Sequence, residues 1–233
     1  MKTLLRVVVA AGLVGSIGCA KPLQLGSETS FDGLVRVENA RASLAWVDPH
    51  FDLSPYSKVM YEEAGIEFSL ERRAPRSGVS RQGRREFNVR PAARERLQRI
   101  LDEAFRRELG RSQHFELVDE PGPDVLLAWV GLLDVVSFVP PERSAREDVY
   151  LARVGEATLV IELRDSESKM TLVRIMDRRA AERSGGNIST VASNTAEVRR
   201  LASHWARLFR QRLDEAPMLH EQLFGAGGSE GPR

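Results

Sequence analysis

Ile66, Phe68 and Leu70 alternate with Glu67 and Ser69, the period of two that turns one face of a strand toward a core and the other toward water. From Pro91 the period lengthens. Leu97, Ile100, Leu101, Ala104, Phe105 and Leu109 share one stripe of a helix that Pro91 opens and Gly110 stops. Phe115 to Val118 has the length of a short strand, and Pro121-Gly122-Pro123-Asp124 is a turn. Val125 to Phe138 is a long apolar run that predicts a strand buried on both faces for part of its length. Ala157, Leu159, Ile161 and Leu163 alternate in one arm of a hairpin. The polar turn Asp165–Lys169 leads to a return arm that starts at Leu172. Val198, Leu201, Trp205, Leu208 and Phe209 then mark a second helix ending near Leu213.

Strand, helix, short strand, long strand, hairpin and helix, in that order, predict an α+β fold: a mixed or antiparallel sheet with two helices packed on one face. Residues 20–33 carry turn formers and no sustained period. We therefore assign 19–40 to a tether, 41–224 to a single α+β domain and 225–233, with four Gly and one Pro, to a flexible tail.

The N-terminus changes the picture from a plain globular chain. Met1, Lys2 and Arg6 precede an apolar run from Val7 to Ile17 and the small Gly18, the layout of a secretory signal over residues 1–18. That run is well short of the roughly 20 apolar residues a spanning helix needs. Cys19, the single cysteine of the chain, follows it. Ser16-Ile17-Gly18-Cys19 resembles the lipobox of bacterial lipoproteins, with Ser16 where Leu is usual. The resemblance implies cleavage before Cys19 and acylation of its thiol, and hence a membrane partner. Each buried CH₂ contributes about 0.8 kcal/mol, and several chains together make attachment effectively permanent. By the same resemblance, Ala20 in place of Asp points to the outer membrane. The other reading is an ordinary cleaved signal that leaves a soluble periplasmic protein.

Cleavage removes Lys2 and Arg6 and no acid, which takes the formal net charge from +1 to −1. A dedicated nucleic-acid-binding domain would be clearly basic, so no nucleic-acid partner is expected. Phe115-Glu116-Leu117-Val118-Asp119-Glu120-Pro121-Gly122-Pro123-Asp124-Val125-Leu126 resembles the signature of a family of bacterial lipoproteins, domain of unknown function 3313. Glu162-Leu163-Arg164-Asp165-Ser166 is similar to that family's hairpin. Asp177-Arg178-Arg179, Trp205-Ala206-Arg207 and Leu213-Asp214 fit its C-terminal half, so that the resemblance covers roughly Tyr56 to Asp214. The family carries no assigned catalytic residues. The order of elements also resembles the TolB N-terminal/LpoB-like domain, which implies docking onto other envelope proteins, although fold by itself does not fix function.

Candidate chemistry is sparse. His50, His114, His204 and His220 lie in no metal-ligand spacing and no second cysteine exists, so neither metal nor cofactor is expected. Asp48-Pro49-His50-Phe51-Asp52 gathers two carboxylates and an imidazole. Its plainer reading is a solvated turn. Ser184-Gly185-Gly186-Asn187 could cradle an anion, but such runs are more often links. Asn187-Ile188-Ser189 matches a glycosylation sequon, which has no force in a bacterial chain. Trp129 and Trp205 fall on apolar faces and read as core, while Trp46 is open to either a structural or a docking role.

Glu71 to Arg99 holds ten Arg against three Glu. Its first part offers Arg72, Arg73, Arg76, Arg81, Arg84 and Arg85 as a basic surface for phosphate or carboxylate, which Arg binds bidentately. A solvated charge run is the competing reading. Three functional expectations follow. The first is a non-enzymatic lipoprotein that binds or assists an envelope protein on the periplasmic side. The second is an envelope hydrolase built from Asp48, Asp52 and Asp177. The third is an anionic-lipid binder acting through 71–99.

Overall fold

A computed structural model describes residues 21–69, 86–140, 150–182 and 188–224. Its strands are β1 (Gln24–Thr29), β2 (Val35–Glu38), β3 (Leu44–Val47), β4 (Lys58–Phe68), β5 (Glu116–Val118), β6 (Val125–Ser137), β7 (Arg153–Asp165) and β8 (Thr171–Glu182). Its helices are α1 (Pro91–Leu109), α2 (Val191–Asp214) and α3 (Ala216–Phe224). The strands form one sheet in the order β1-β2-β3-β8-β7-β6-β4-β5. β4 runs parallel to β5 and β6, and every other pair is antiparallel. The fold is therefore α+β with a mixed sheet, and helices cover one face.

The core lies between α1, α2 and the central strands. Alternate residues of β6 (Leu126, Ala128, Val130, Leu132) meet Ile100, Leu101, Ala104 and Phe105 of α1 and Trp205, Ala206 and Phe209 of α2. The apolar stripe of α1 is buried as its spacing requires, and Glu108 joins it with ion pairs to Arg111 and Arg210. Burial of such side chains contributes about 1.5–3 kcal/mol each.

Two strands change parity partway along. In β4, Glu63 pairs with Val130 and Gly65 with Gly131, so that Ala64 is extra; Gly65 takes φ +99°, a region open to glycine at little cost. Val59 and Tyr61 before this bulge, and Ile66 and Phe68 after it, all reach the core side. In β6, Asp134 adopts φ 51° where the register with β7 shifts, and Val135 returns to the core. A bulge of this kind bends and twists its strand. It also explains why the alternation read from the sequence begins at Ile66, eight residues after the strand does.

The structure differs from the sequence reading at three places. Gln24–Thr29 and Val35–Glu38, placed in the 19–40 tether, extend the sheet as β1 and β2, and Leu44–Val47 adds β3. β1 is mostly exposed and short of apolar residues, which is why no period betrays it. The second helix begins at Val191, because Thr190 and Ser193 form a reciprocal capping box that supports a polar first turn. Finally, α3 follows α2 and packs Leu223 and Phe224 against Val37, Ala45 and Val47, a helix that the sequence reading does not include. The tail 225–233 and the signal segment lie outside the described residues.

Candidate functional site

α1 and α2 lie side by side and are tied together at their C-terminal ends. Arg210 bonds Asp214 at 2.8 Å and approaches Glu108 at 3.6 Å. Asp214 also accepts hydrogen bonds from Ser112 Oγ at 2.5 Å and from the Gln113 backbone N–H at 3.0 Å. At Asp214 burial raises the pKa, but these donors and Arg210 outweigh it and hold the carboxyl below its ordinary value.

Among the described residues, no comparable ion pair joins the N-terminal halves of the two helices. Between them and the sheet lies a pocket of about 350 Å³, within the range of about 300–1,000 Å³ typical of small-molecule sites. Leu97 and Ile100 of α1, Val198 and Leu201 of α2, and Leu132 and Val135 of β6 form its walls. Its volume has a local cause. Ala157, Ala181 and Ala202 line it with side chains too small to meet across the gap.

The edge is basic. Arg90, exposed just before α1, and Arg96, half-buried on α1, both line the pocket. Neither guanidinium has an ion pair or hydrogen bond among the described residues. Glu156 also lines the pocket, but its carboxylate is paired with Arg178. Arg94, the next basic residue of the series, instead donates to the Val89 carbonyl at 2.8 Å and lies over the Phe68 ring.

Trp205 forms one end of the pocket, and its orientation is fixed. Its indole N–H donates to Asp177 Oδ2 at 3.0 Å. The same carboxylate, buried on β8, accepts from Arg179 Nε at 2.5 Å and from Ser43 Oγ at 3.3 Å. Asp177 is thus a structural acceptor that does not line the pocket. His204, the neighbour of Trp205, has its pKa pushed down by burial and then by the Arg179 and Arg207 charges, against a smaller upward pull from Asp177.

The opposite face of the sheet carries a row of paired polar and aromatic residues. Arg36, Trp46, Arg174, Glu162, Trp129 and Glu62 stand side by side on six neighbouring strands. Arg174 donates to Glu162 at 2.6 Å and to Asp32 at 3.1 Å, and Arg164 lies 4.0 Å from the Trp129 ring. Burial raises the pKa of Glu162, yet Arg174 and Arg164 together hold it below its ordinary value. The hydrogen bonds from Arg174 lower Asp32 further, to about 2.

Trp205 is core, as its position in the second helix predicts. Trp129 is not: it is half-buried on the outer face beneath Arg164, because even-numbered residues of β6 take the core side. Trp46 stands on that same face, 5.3 Å from the Arg36 guanidinium. Cys19, Arg72, Arg73, Arg76, Arg81, Arg84, Arg85 and the run Ser184–Asn187 lie outside the described residues.

Asp48, Asp52 and Asp177 are not brought together. Asp48 sits at the start of β8, where its N–H bonds the Leu172 carbonyl; Asp177 lies five residues along that strand, about 16 Å away at a rise of about 3.3 Å per residue. The Asp48 and Asp52 carboxylates cap their own turn at His50 and Ser54. His220 bonds the Phe51 carbonyl at 2.7 Å. Among the described residues no group of three His, Cys, Asp or Glu could hold a metal ion, and no helix is long and apolar enough to cross a membrane.

The sheet, its one-sided helices and the apolar pocket define a small α+β domain with a ligand-sized cavity. The chain belongs to a family of proteins of unknown function, DUF3313, whose model matches residues 25–209. No curated protein shows significant similarity to it. Among solved structures, a neuraminyllactose-binding hemagglutinin homolog from Helicobacter pylori aligns at 10% identity and TM-score 0.39, covering 71% of this chain and 90% of its own. A Xanthomonas campestris protein of family DUF330 aligns at 9% identity and TM-score 0.39, covering 87% and 99%. A minor lipoprotein from Acinetobacter baumannii aligns at 10% identity and TM-score 0.32, covering 70% and 95%. These likenesses are too remote to carry function.

Proposed function

We propose that the protein is an accessory lipoprotein of the cell envelope, held at the outer membrane by acylated Cys19 and facing the periplasm, which binds its ligand without transforming it. The observation that carries the binding role is the apolar pocket between α1 and α2. Its walls are aliphatic, and two carboxylates close to it are engaged: Glu156 on the lining pairs with Arg178, and Asp177 accepts the Trp205 indole N–H. Support for the anchor is the basic start, the apolar run and the lone Cys19. The near-neutral charge left after cleavage favours a protein or lipid partner over nucleic acid.

Membrane fractionation with Cys19→Ala tests the anchor. The wild-type chain is expected in the membrane pellet and the variant in the soluble fraction; a variant that stays in the pellet through washing would refute attachment at Cys19. Cross-linking in intact cells then tests the accessory role. A defined envelope protein captured by the wild type and lost with Cys19→Ala supports docking at the membrane.

A further inference from the structure

We propose that the pocket between α1 and α2 takes the acyl chain of an anionic lipid, with the headgroup held by Arg90 and Arg96. The inference rests on the reading of the protein as an envelope binding protein and adds the class of ligand. The walls name the chain. Leu97, Ile100, Leu132, Val135, Val198 and Leu201 present aliphatic carbon, and an apolar, ligand-sized cavity with a few polar groups at its edge is the usual form of a site for an apolar molecule.

The edge names the head. Arg96 is half-buried and Arg90 exposed, both line the same pocket, and neither has a protein counter-ion among the described residues. A cation kept partly out of water without a partner is costly unless an anion completes it, and a guanidinium fits phosphate or carboxylate with two parallel hydrogen bonds. Among the described residues, the one carboxylate on the lining, Glu156, is paired with Arg178, so it does not oppose an anion. These two arginines belong to the basic series that runs from Arg72 to Arg99, and the fold places them at the edge of an apolar cavity. The headgroup chemistry is common to phospholipids and free fatty acids, and the membrane anchor makes phospholipid the nearer source.

Photo-cross-linking of the full acylated chain tests the assignment. The protein is reconstituted in vesicles containing phosphatidylglycerol with a diazirine at the end of one acyl chain. Parallel vesicles carry the same photoreactive chain on phosphatidylcholine, and a third sample receives a diazirine fatty acid. Peptide mapping is expected to place adducts on Leu97, Leu132 or Val198. Arg96→Gln is expected to lower labelling from phosphatidylglycerol about tenfold, the value of one charge-assisted hydrogen bond, with little change for phosphatidylcholine. Ala93→Trp, at a half-buried lining position, is expected to block labelling while leaving the circular dichroism spectrum unchanged.

Labelling of pocket residues by the fatty acid alone would keep the assignment and identify a free acyl anion as its source. Adducts confined to residues outside the pocket, equal labelling in Ala93→Trp, or a polypeptide occupying the same residues would overturn it. Should that happen while Cys19→Ala still releases the protein, the ligand class fails and the anchored binding protein stands. Retention of Cys19→Ala in the membrane would instead remove the reading beneath it.

Discussion

Replacing Trp205 by Phe isolates the hydrogen bond that fixes the end of the pocket. The substitution keeps an aromatic ring in a position that is 4% exposed and removes only the indole N–H and part of the ring. Asp177 is not orphaned, since Arg179 and Ser43 still donate to it. The loss is therefore that of one hydrogen bond to a charged acceptor, about 1.5–3 kcal/mol, plus on the order of 1 kcal/mol for the space the smaller ring leaves. A total near 3 kcal/mol corresponds to a fall in Tm of about 6–12 °C for a domain of this size. Urea unfolding followed by far-ultraviolet circular dichroism measures it, with the slope against denaturant expected to stay constant. The same substitution in an Asp177→Ala background has no hydrogen bond to lose and is expected to cost only the space term, so the cycle should show a coupling of about 1.5 kcal/mol or more. Additivity within about 0.5 kcal/mol would show that the Trp205–Asp177 contact contributes nothing and that packing alone holds the ring.

Two further outcomes follow from the geometry. In Gly131→Ala the new Cβ would lie 2.9 Å from the Gly65 carbonyl oxygen and 3.0 Å from the Ala64 Cβ; because backbone stands in the way, the expected cost is about 1–3 kcal/mol, read from thermal melts, and an unchanged Tm would mean that the β4 bulge yields freely. The lowered pKa of His204 makes the unfolded chain the better proton acceptor just below pH 6.5, so stability, fully present above that pH, is lost as the pH falls toward the folded-state value. His204→Gln is expected to flatten this limb in a pH series of melts, and an identical decline in the variant would assign the acid sensitivity elsewhere.

Much of the fold follows from local pattern because the physics that writes it is local. The stripe from Leu97 to Leu109, opened by Pro91, gives α1 its bounds, and the alternation from Ala157 to Leu163 gives the hairpin its core face. The pattern fails where stability comes from outside the segment. β1 is an exposed strand held by pairing with β2, and its hydrogen bonds leave no trace in side-chain hydropathy. The start of β4 is hidden because its bulge shifts the buried positions from odd to even numbers. Trp129 looks apolar in sequence, but which face of β6 it occupies depends on the register with β4 and β7, and that places it under Arg164.

The candidate site divides in the same way. The lipobox resemblance around Cys19 and the concentration of arginine before and within α1 are legible without coordinates, since both are matters of composition and short-range order. Three things come from packing alone: Arg90 and Arg96 share the edge of a cavity, Ala157, Ala181 and Ala202 hollow it, and Asp177 serves Trp205 and stands apart from Asp48 and Asp52. A cavity is a property of residues far apart in the chain whose side chains fail to meet, and no local pattern encodes a gap.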